Sequence, residues 1–416
     1  MAASPHRYDA IVLGAGLVGM AAAVALAGRH ARTPLSVALV DARAPEGFAT
    51  AQADGRASAI AESSRRMLDA MGVWDAIAPN AQPIERIEVL DGRLDEPGRP
   101  VLLRFDEATF ENAPSAHMVE NRHLYRTLYE AIAASPTVTL KTGQAASSFA
   151  FDGALARIGL ADGTELAAPL VVAADGRNSP ARQAAALATV GWSYEQNGLV
   201  ATVEHERAHG GVAVEQFLPA GPFAILPLPG GHHSSLVWTE KAAEAERLMA
   251  LDDEGYTREL QRRFGERLGA VKPVGPRHSY PLAMHVARDY AAPRLALIGD
   301  AAHVLHPLAG LGFNLGLRDV AALAQEVVET ARLGLDHGAL DTLERYQRWR
   351  RFDTLKVAAM TDGLNRLFSN DNPLLRILRD QGLAMVDHIG PLKGFFMRQA
   401  AGVEGSQPRL LAGDPV

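Results

Sequence analysis

The chain has 416 residues, and at about 150 residues per domain this length predicts two or three domains. Apolar residues make up 48% and charged residues 21%, as in an ordinary globular protein. The net charge of −7 disfavours nucleic acid as a partner. The absence of cysteine excludes disulfides, thiolate metal sites and cysteine nucleophiles, so redox chemistry requires a bound cofactor.

The N-terminal segment predicts a dinucleotide-binding βαβ unit. A short apolar strand leads into a Gly-x-Gly-x-x-Gly turn, formed by Gly14, Ala15, Gly16 and Gly19, and then into an Ala-rich helix. This arrangement lets a diphosphate approach the helix N-terminus without interference from a Cβ atom. The next strand ends in Asp41, where a carboxylate can accept both hydroxyls of an adenosine ribose. A tight helix–sheet turn without a ligand is the alternative.

Later segments alternate between this unit and a second, sheet-based one. Residues 84–90 and 101–105 predict paired strands, and residues 165–174 predict one strand that closes on Asp175. Pro/Gly turns separate the three strands of a predicted meander, at residues 212–218, 223–228 and 234–238. From residue 341 onward the pattern is helical.

A late strand and the loop after it indicate which dinucleotide binds. The strand ends in Gly-Asp, and the carboxylate of Asp300 can bind a ribityl hydroxyl there. The loop enters a helix through Gly310, Gly312, Phe313 and Asn314, whose N–H groups can hold the pyrimidine edge of a flavin. The combination predicts FAD, bound noncovalently because no cysteine can tether it.

These motifs resemble those of the single-component FAD-dependent aromatic hydroxylases. In addition to the first glycine turn, the motifs that carry the resemblance are a central Asp175-Gly176-Arg177 and a late Gly299-Asp300. Further segments resemble the ubiquinone-biosynthesis branch of that family, at residues 54–60, 120–124, 299–307 and 312–319. One departure is Leu311, where the branch usually has Gln.

The resemblance implies roles for several residues. Arg56 and Arg122 are expected at the diphosphate or ribityl part of FAD, Asp300 at the ribityl chain, and residues 312–314 at the isoalloxazine. Asp175 is expected to serve both FAD and the transient NAD(P)H. Without the family, a surface ion pair explains either arginine equally well.

The resemblance implies an α/β fold: a Rossmann-like FAD-binding domain, an interleaved β-sheet substrate domain and a C-terminal helical region. The boundaries assign three pieces to the FAD-binding domain, two to the substrate domain and one to the helices: residues 1–80, 116–185 and 291–340; residues 81–115 and 186–290; and residues 341–416.

By the same resemblance, the protein is an FAD-dependent monooxygenase that hydroxylates the ring of a polyprenylated phenol in ubiquinone biosynthesis. It would use NAD(P)H and O2 through a C4a-hydroperoxyflavin. The alternatives are a hydroxylase of another aromatic substrate, a related flavoprotein that reduces prenyl double bonds or halogenates, and a non-catalytic flavin-binding subunit of a biosynthetic complex. None of the four tryptophans lies in the halogenase motif Trp-x-Trp-x-Ile-Pro, which disfavours halogenation.

The substrate pocket is expected between the meander and the late glycine loop, and no single catalytic residue is predicted. Its candidate wall residues, each of which sheet-core packing explains equally well, are Gln216, Phe217, Phe223, Ile225, Pro227 and Pro307. His303 and His306 have the spacing of metal ligands but no third ligand nearby, so no metal is predicted. A run of arginines at residues 345–351 predicts a solvated helix face rather than a docking surface.

No signal sequence or membrane-spanning segment is visible, so a cytoplasmic location is expected. A prenyl tail is too apolar to cross water alone, so the substrate must come from a membrane surface or a partner, such as a ubiquinone-biosynthesis complex. Apolar residues near the C-terminus are the predicted docking element, with packing on the FAD-binding domain as the alternative: Leu374, Leu375, Leu378, Leu383, Met385, Leu392, Phe395, Phe396 and Met397.

Overall fold

The computed structural model describes residues 5–28, 33–44, 55–92, 94, 99–106, 114–307, 310–368, 401–403 and 407–416. The strands in chain order are β1 (His6–Arg7), β2 (Ala10–Leu13), β3 (Val37–Asp41), β4 (Ala57–Ala61), β5 (Ala81–Pro83), β6 (Arg86–Asp91), β7 (Val101–Asp106), β8 (Ala116–Glu120), β9 (Val138–Thr142), β10 (Ala146–Ala150), β11 (Ala156–Leu160), β12 (Glu165–Ala168), β13 (Leu170–Ala173), β14 (Thr189–His205), β15 (Val212–Leu218), β16 (Gly221–Pro227), β17 (His233–Lys241), β18 (Val271–Ala287), β19 (Ala291–Ala292), β20 (Leu295–Leu297) and β21 (His303–Val304).

The α-helices are α1 (Leu17–Ala27), α2 (Glu62–Ala70), α3 (Trp74–Ile77), α4 (Asn121–Ala133), α5 (Pro180–Ala184), α6 (Ala242–Met249), α7 (Asp253–Phe264), α8 (Leu311–Arg332), α9 (Leu340–Phe368) and α10 (Arg409–Ala412). Short 3₁₀ turns lie at Ala78–Asn80 and Gly299–Ala301. Within the described residues, no helix combines the length and apolar character needed to span a membrane.

A six-stranded sheet in the order β19-β20-β13-β2-β3-β9 forms the first layer of the fold. All its pairings are parallel except the one between β19 and β20. Strands β2 and β13 are buried along their whole length, as expected for a parallel sheet covered on both faces. The carboxyl ends of β20, β13, β2 and β3 therefore meet at one edge of the sheet.

An eight-stranded sheet in the order β21-β18-β14-β17-β16-β15-β6-β7 forms the second layer. The predicted meander corresponds to β15, β16 and β17, and the predicted pairing of β6 with β7 is confirmed. The sequence did not predict β14 and β18, which are 17 residues long each. Irregular register between them, with Glu195 at a φ of 55°, interrupts the alternation that would have revealed β14.

The strand predicted over residues 165–174 is two strands in two different sheets. β12 pairs with β1 and β11 in a four-stranded sheet, whereas β13 pairs with β2 and β20 in the parallel sheet. Pro169 separates them and has no backbone N–H to donate to a ladder. The chain changes sheets at this residue, so the prediction of one continuous strand is wrong.

A buried polar network joins α9 to the parallel sheet. The Arg350 Nε donates to Asp319 Oδ1 at 2.8 Å, and Asp319 Oδ2 accepts from the Gly299 N–H at 2.9 Å and contacts His303 Nε2 at 2.7 Å. The Tyr346 hydroxyl donates to the Leu297 carbonyl at 2.6 Å. Arg350 is only 3% exposed, so the predicted solvated face is wrong for this arginine. It shares the buried side of the helix with Tyr346, one turn earlier.

Candidate active site

The first glycine turn connects β2 to α1, and its glycines have different structural roles. Gly14 has a φ of 95°, and a Cβ atom there would lie 2.4 Å from the Ala174 carbonyl oxygen. A Cβ atom at Gly19 would lie 1.9 Å from the Gly14 carbonyl oxygen. At Gly16, by contrast, a Cβ atom would meet nothing within 4 Å. The outer two glycines therefore permit close packing, whereas Gly16 faces open space at the N-terminus of α1.

The predicted cofactor residues follow four neighbouring strands at one edge of the parallel sheet. Gly14 follows β2, Asp41 ends β3, Asp175 comes shortly after β13, and Asp300 lies in the turn after β20. A Cβ atom added at Gly299 would lie 3.2 Å from the Val18 side chain of α1, and one added at Gly316 would lie 2.5 Å from it. Both backbones therefore pass close to α1. The edge is thus the crevice at the carboxyl ends of parallel strands where dinucleotides bind in such folds.

Asp41 is already connected to the glycine turn. Its Oδ2 accepts from the Ala15 N–H at 2.6 Å, and its Oδ1 accepts from the Arg43 N–H at 2.8 Å and Nε at 3.1 Å. The Arg43 Nη2 also donates to the Ala15 carbonyl at 2.7 Å. Because a carboxylate offers about four acceptor positions, little capacity remains for a further donor. The carboxylate therefore positions the turn, and contact with a ribose remains a prediction.

Two further carboxyl groups point to a ligand at this edge. The Asp175 Oδ2 accepts from the Ala181 N–H at 3.2 Å, but its Oδ1 is buried without a hydrogen-bond partner. Burial raises the pKa of Asp175. Asp300 is accessible from the crevice, and desolvation by the surrounding protein raises its pKa as well. A buried acceptor without a partner requires a donor from a ligand or water, which fits a dinucleotide with free hydroxyls.

The late glycine loop leads into α8 at the same edge. Gly310 has a φ of 63°, and a Cβ atom at Gly312 would meet nothing within 4 Å. The Asn314 side chain, in contrast, is bound to β4: its Oδ1 accepts from the Ala61 N–H at 2.9 Å and its Nδ2 donates to the Ala59 carbonyl at 2.7 Å. The predicted flavin contact is therefore left to backbone N–H groups in the first turn of α8, near Gly312 and Phe313.

The structure brings Arg56 and Arg122 to the junction of β4 and α4. The Arg56 carbonyl accepts from the Asn121 N–H at 3.0 Å, and Arg122 forms a 2.7 Å ion pair with Glu120. Both arginine side chains are exposed. Arg122 and Gly55 line a cleft of about 490 Å³ between this junction and the eight-stranded sheet. Contact of either arginine with a cofactor stays a prediction.

The eight-stranded sheet has one face toward α6 and α7 and another toward the late glycine loop. Phe223 and Ile225 pack in the core that includes Trp238, Tyr256 and Phe264, on the α6 and α7 side. Strand alternation assigns Gln216 and Pro227 to that same face. The prediction that these four residues line the pocket is therefore corrected: they lie in the sheet core or at its edge. Neighbouring residues of a strand point to opposite faces, and the prediction is off by one residue along the strand.

The opposite face carries the cavity. Phe217 lies on it and packs against Leu364 and Leu367 of α9. The cavity between this face and the loop has a volume of about 20 Å³ and is lined by Glu215, Pro222, Ala224, Leu226, Val237, Thr239, His306, Pro307 and Gly310. Pro307 is thus the predicted wall residue that borders it directly. The backbone at its floor, around Gly310, is the segment expected to hold the flavin.

Sequence reasoning missed the polar side chains of this cavity, which are Glu215, Thr239 and, in this role, His306. The Thr239 hydroxyl and both ring nitrogens of His306 are buried without hydrogen-bond partners. Burial lowers the pKa of His306 to about 4. The available signal was Glu215 itself, a carboxyl on a face of β15 that it shares with the apolar Ala213 and Phe217. His306 also packs edge-on against Tyr194, with ring centroids 5.3 Å apart.

Comparisons with known proteins identify the family to which the chain belongs. The family model of the FAD binding domain matches residues 7–357. The chain is 45% identical to ubiquinone hydroxylase UbiL from Rhodospirillum rubrum, covering 98% of this chain and 93% of that protein. It is 35% identical to 3-demethoxyubiquinol 3-hydroxylase from Escherichia coli, covering 94% and 98%.

The fold is also similar to that of a solved structure. The p-nitrophenol 4-monooxygenase PnpA from Pseudomonas putida aligns with a TM-score of 0.79 at 18% identity, covering 97% of this chain and 100% of that one. This likeness confirms the predicted α/β fold class. The family match and the two relatives confirm the predicted cofactor and enzyme class. The chain therefore belongs to the FAD-dependent aromatic hydroxylases, in the branch that contains the ubiquinone hydroxylases.

Proposed function

We propose that this enzyme hydroxylates the aromatic ring of a polyprenylated phenol in ubiquinone biosynthesis, with NAD(P)H and O2 as co-substrates. The similarity to UbiL over 98% of the chain carries the proposal. FAD, once bound and reduced, would activate O2 for transfer of an oxygen atom to the ring, a reaction that no amino-acid side chain can supply. The protein's own task is to hold the flavin and the ring against each other and to exclude water.

The crevice offers a position for each part of FAD. Open space at Gly16, beside the N-terminus of α1, suits the diphosphate, and open space at Gly312 suits the isoalloxazine. Asp300 is accessible for a ribityl hydroxyl. The remaining proposed contacts are Asp41 with the adenosine ribose, Arg56 and Arg122 with the diphosphate or ribityl part, and Asp175 with FAD and NAD(P)H.

Replacing Asp300 with alanine is expected to weaken FAD binding by roughly 1.5–3 kcal/mol, because a hydrogen bond to a charged group is lost. Equilibrium titration of the apoprotein with FAD measures the change. Asp69→Ala is a matched control, since its side chain is exposed on α2. Equal FAD affinity in the Asp300 variant and the wild type contradicts the assignment of this carboxylate.

The proposed substrate class can be tested with the purified holoenzyme. In the presence of FAD, NAD(P)H and O2, we expect a prenylated phenol to gain one oxygen atom, detected by mass spectrometry. Simple hydroxybenzoates are expected to react poorly, because they lack the apolar tail whose burial favours binding by about 0.8 kcal/mol per CH₂. Comparable turnover of both compounds contradicts the proposed class, and precursors that accumulate in cells lacking the gene would identify the substrate.

Delivery of this substrate requires contact with a membrane surface or with a partner that carries the prenyl chain. We place this contact on the predicted C-terminal docking element, at the apolar cluster that contains Phe395 and Phe396. That segment lies outside the described residues. The proposal therefore depends on the chemistry of the tail, and co-sedimentation of a Phe395→Ser, Phe396→Ser variant with lipid vesicles tests it.

A further inference from the structure

The cavity between the eight-stranded sheet and the late glycine loop contains one carboxyl group, that of Glu215, without a counter-charge. No described residue forms a hydrogen bond or ion pair with the Glu215 side chain, whereas the two buried glutamates of the sheet, Glu88 and Glu240, each have an ion-pair partner. Glu88 pairs with Arg267 at 2.6 Å and Glu240 pairs with Arg263 at 3.1 Å, both on the face toward α6 and α7. Glu215 is thus unpaired on the face that borders the flavin-binding loop.

The cross-strand neighbours of Glu215 are apolar. Its strand neighbours across the sheet are Ala224 on β16 and Val89 on β6. The titratable group that faces the same cavity is His306. Behind His306 lie the Tyr194 hydroxyl, which donates to Asp362 Oδ1 at 3.0 Å, and the ion pair of Asp362 with Arg366. These charges compensate each other, so none of them neutralises Glu215.

We propose that the Glu215 carboxylate is the base that accepts the proton of the substrate's ring hydroxyl. The inference rests on the proposed function, because it requires a phenolic substrate whose hydroxyl reaches this cavity. In the step, the phenol O–H bond breaks, its proton moves to a Glu215 carboxylate oxygen, and the electron pair stays on the phenol oxygen. The resulting phenolate makes the ring electron-rich and ready for attack on the activated oxygen.

The environment of Glu215 suits this role. Desolvation by burial raises its pKa to about 8. An ordinary carboxylate, with a pKa near 4.3, is a weak proton acceptor for a phenol with a pKa near 10. Raising the pKa of the carboxyl brings it closer to the pKa of the phenol, which makes the proton transfer less unfavourable. Thr239 and His306 offer unpartnered polar atoms in the same cavity, which can form hydrogen bonds with a polar group of the substrate that reaches it.

The test compares Glu215→Gln, Glu215→Asp and wild-type holoenzyme on one prenylated phenol. Glu215→Gln should lower kcat about 100-fold with little change in KM, because the amide cannot accept the proton. For the wild type, kcat should fall as the pH drops below about 8, where Glu215 becomes protonated. For Glu215→Gln, kcat should instead rise until the free phenol ionises, near pH 10. Glu215→Asp should restore part of the activity and the wild-type form of the pH profile.

A second readout does not depend on turnover. Under anaerobic conditions, binding of the phenol to oxidised wild-type holoenzyme should produce a phenolate absorbance band at a pH below the phenol's own pKa. Glu215→Gln should not produce it. Glu195→Gln is the matched control, since Glu195 is an exposed residue of the same sheet. FAD content and melting temperature verify that each variant is folded. If Glu215→Gln loses its flavin, the test relies on the Glu215→Asp variant and on the phenolate absorbance band of the wild-type enzyme.

Failure of the inference differs from failure of the proposed function. A Glu215→Gln enzyme with the wild-type kcat and pH profile, or a wild-type enzyme without a phenolate band, overturns the role of Glu215. A wild-type enzyme that turns over soluble phenols but no prenylated phenol overturns the proposed substrate class instead. The Glu215 comparison is then made with the soluble phenol.

Discussion

Replacing Arg350 with alanine is expected to lower the free energy of unfolding by about 3–5 kcal/mol, because it leaves a buried carboxylate without its partner. Asp319 is fully buried, and Arg350 contacts it at 2.8 Å and Asp353 at 2.7 Å. Burial alone raises the pKa of a carboxyl, but His303 and Arg350 beside it hold the pKa of Asp319 below its ordinary value. Denaturant titration of the apoprotein measures the loss.

The same helix provides the control for this prediction. Arg348 is exposed and lies 3.9 Å from Glu344, so Arg348→Ala should change stability by less than about 0.5 kcal/mol. Because Asp319 also accepts from the Gly299 N–H, the Arg350 variant should retain FAD less well than the Arg348 variant. Equal denaturation midpoints for the two variants would mean that the buried ion pair contributes little.

The cofactor crevice could be predicted from the sequence because its residues follow short, apolar parallel strands. Gly14, Asp41, Asp175 and Asp300 each come at or just after the end of such a strand, and parallel strands bring their ends to one edge. The local pattern therefore fixed their relative positions without knowledge of long-range contacts. The same logic does not say how much of the Asp41 carboxylate is left for a ligand, since the Ala15 N–H binds its Oδ2 and the Arg43 N–H binds its Oδ1.

The substrate side could not be predicted in the same way. Alternation along β16 divides Phe223 and Ile225 from Ala224 and Leu226, but only the packing of α6 and α7 decides which set faces the cavity. The aromatic Phe223 was placed in the pocket, whereas the structure buries it under α6 and α7 and gives the pocket smaller side chains. A single residue of register thus separates Glu215 from the predicted pocket residue Gln216.

For α9, the sequence contained a signal that was not used. Tyr346, Arg350, Thr354 and Val357 are spaced by four, four and three residues, and all four are buried. This spacing places Arg350 on the apolar stripe and away from Arg348. The run of arginines was interpreted as one basic face because the prediction used the charge of these residues and not their spacing along the helix. A buried arginine on such a stripe predicts a buried carboxylate partner, which here is Asp319.

Replacing Gly16 with alanine is expected to weaken FAD binding by roughly 3 kcal/mol, about a hundredfold in Kd, while leaving the apoprotein folded. The added Cβ atom meets no protein atom within 4 Å, so it projects into the space that we assign to the diphosphate. The diphosphate then cannot approach the free N–H groups of α1. The apoprotein should lose no more than about 1 kcal/mol, since alanine is a poorer N-cap than glycine.

Gly19→Ala should give the opposite pattern and is therefore the matched control. Its Cβ atom would lie 1.9 Å from the Gly14 carbonyl oxygen, so the start of α1 must shift away from β2. Overpacking of this kind costs about 1–3 kcal/mol. We expect the free energy of unfolding of the apoprotein itself to fall by this amount. FAD titration and denaturant titration of both variants separate the two effects. If Gly16→Ala binds FAD as the wild type does, the diphosphate does not lie at this helix N-terminus, and the assignment of the crevice must be changed.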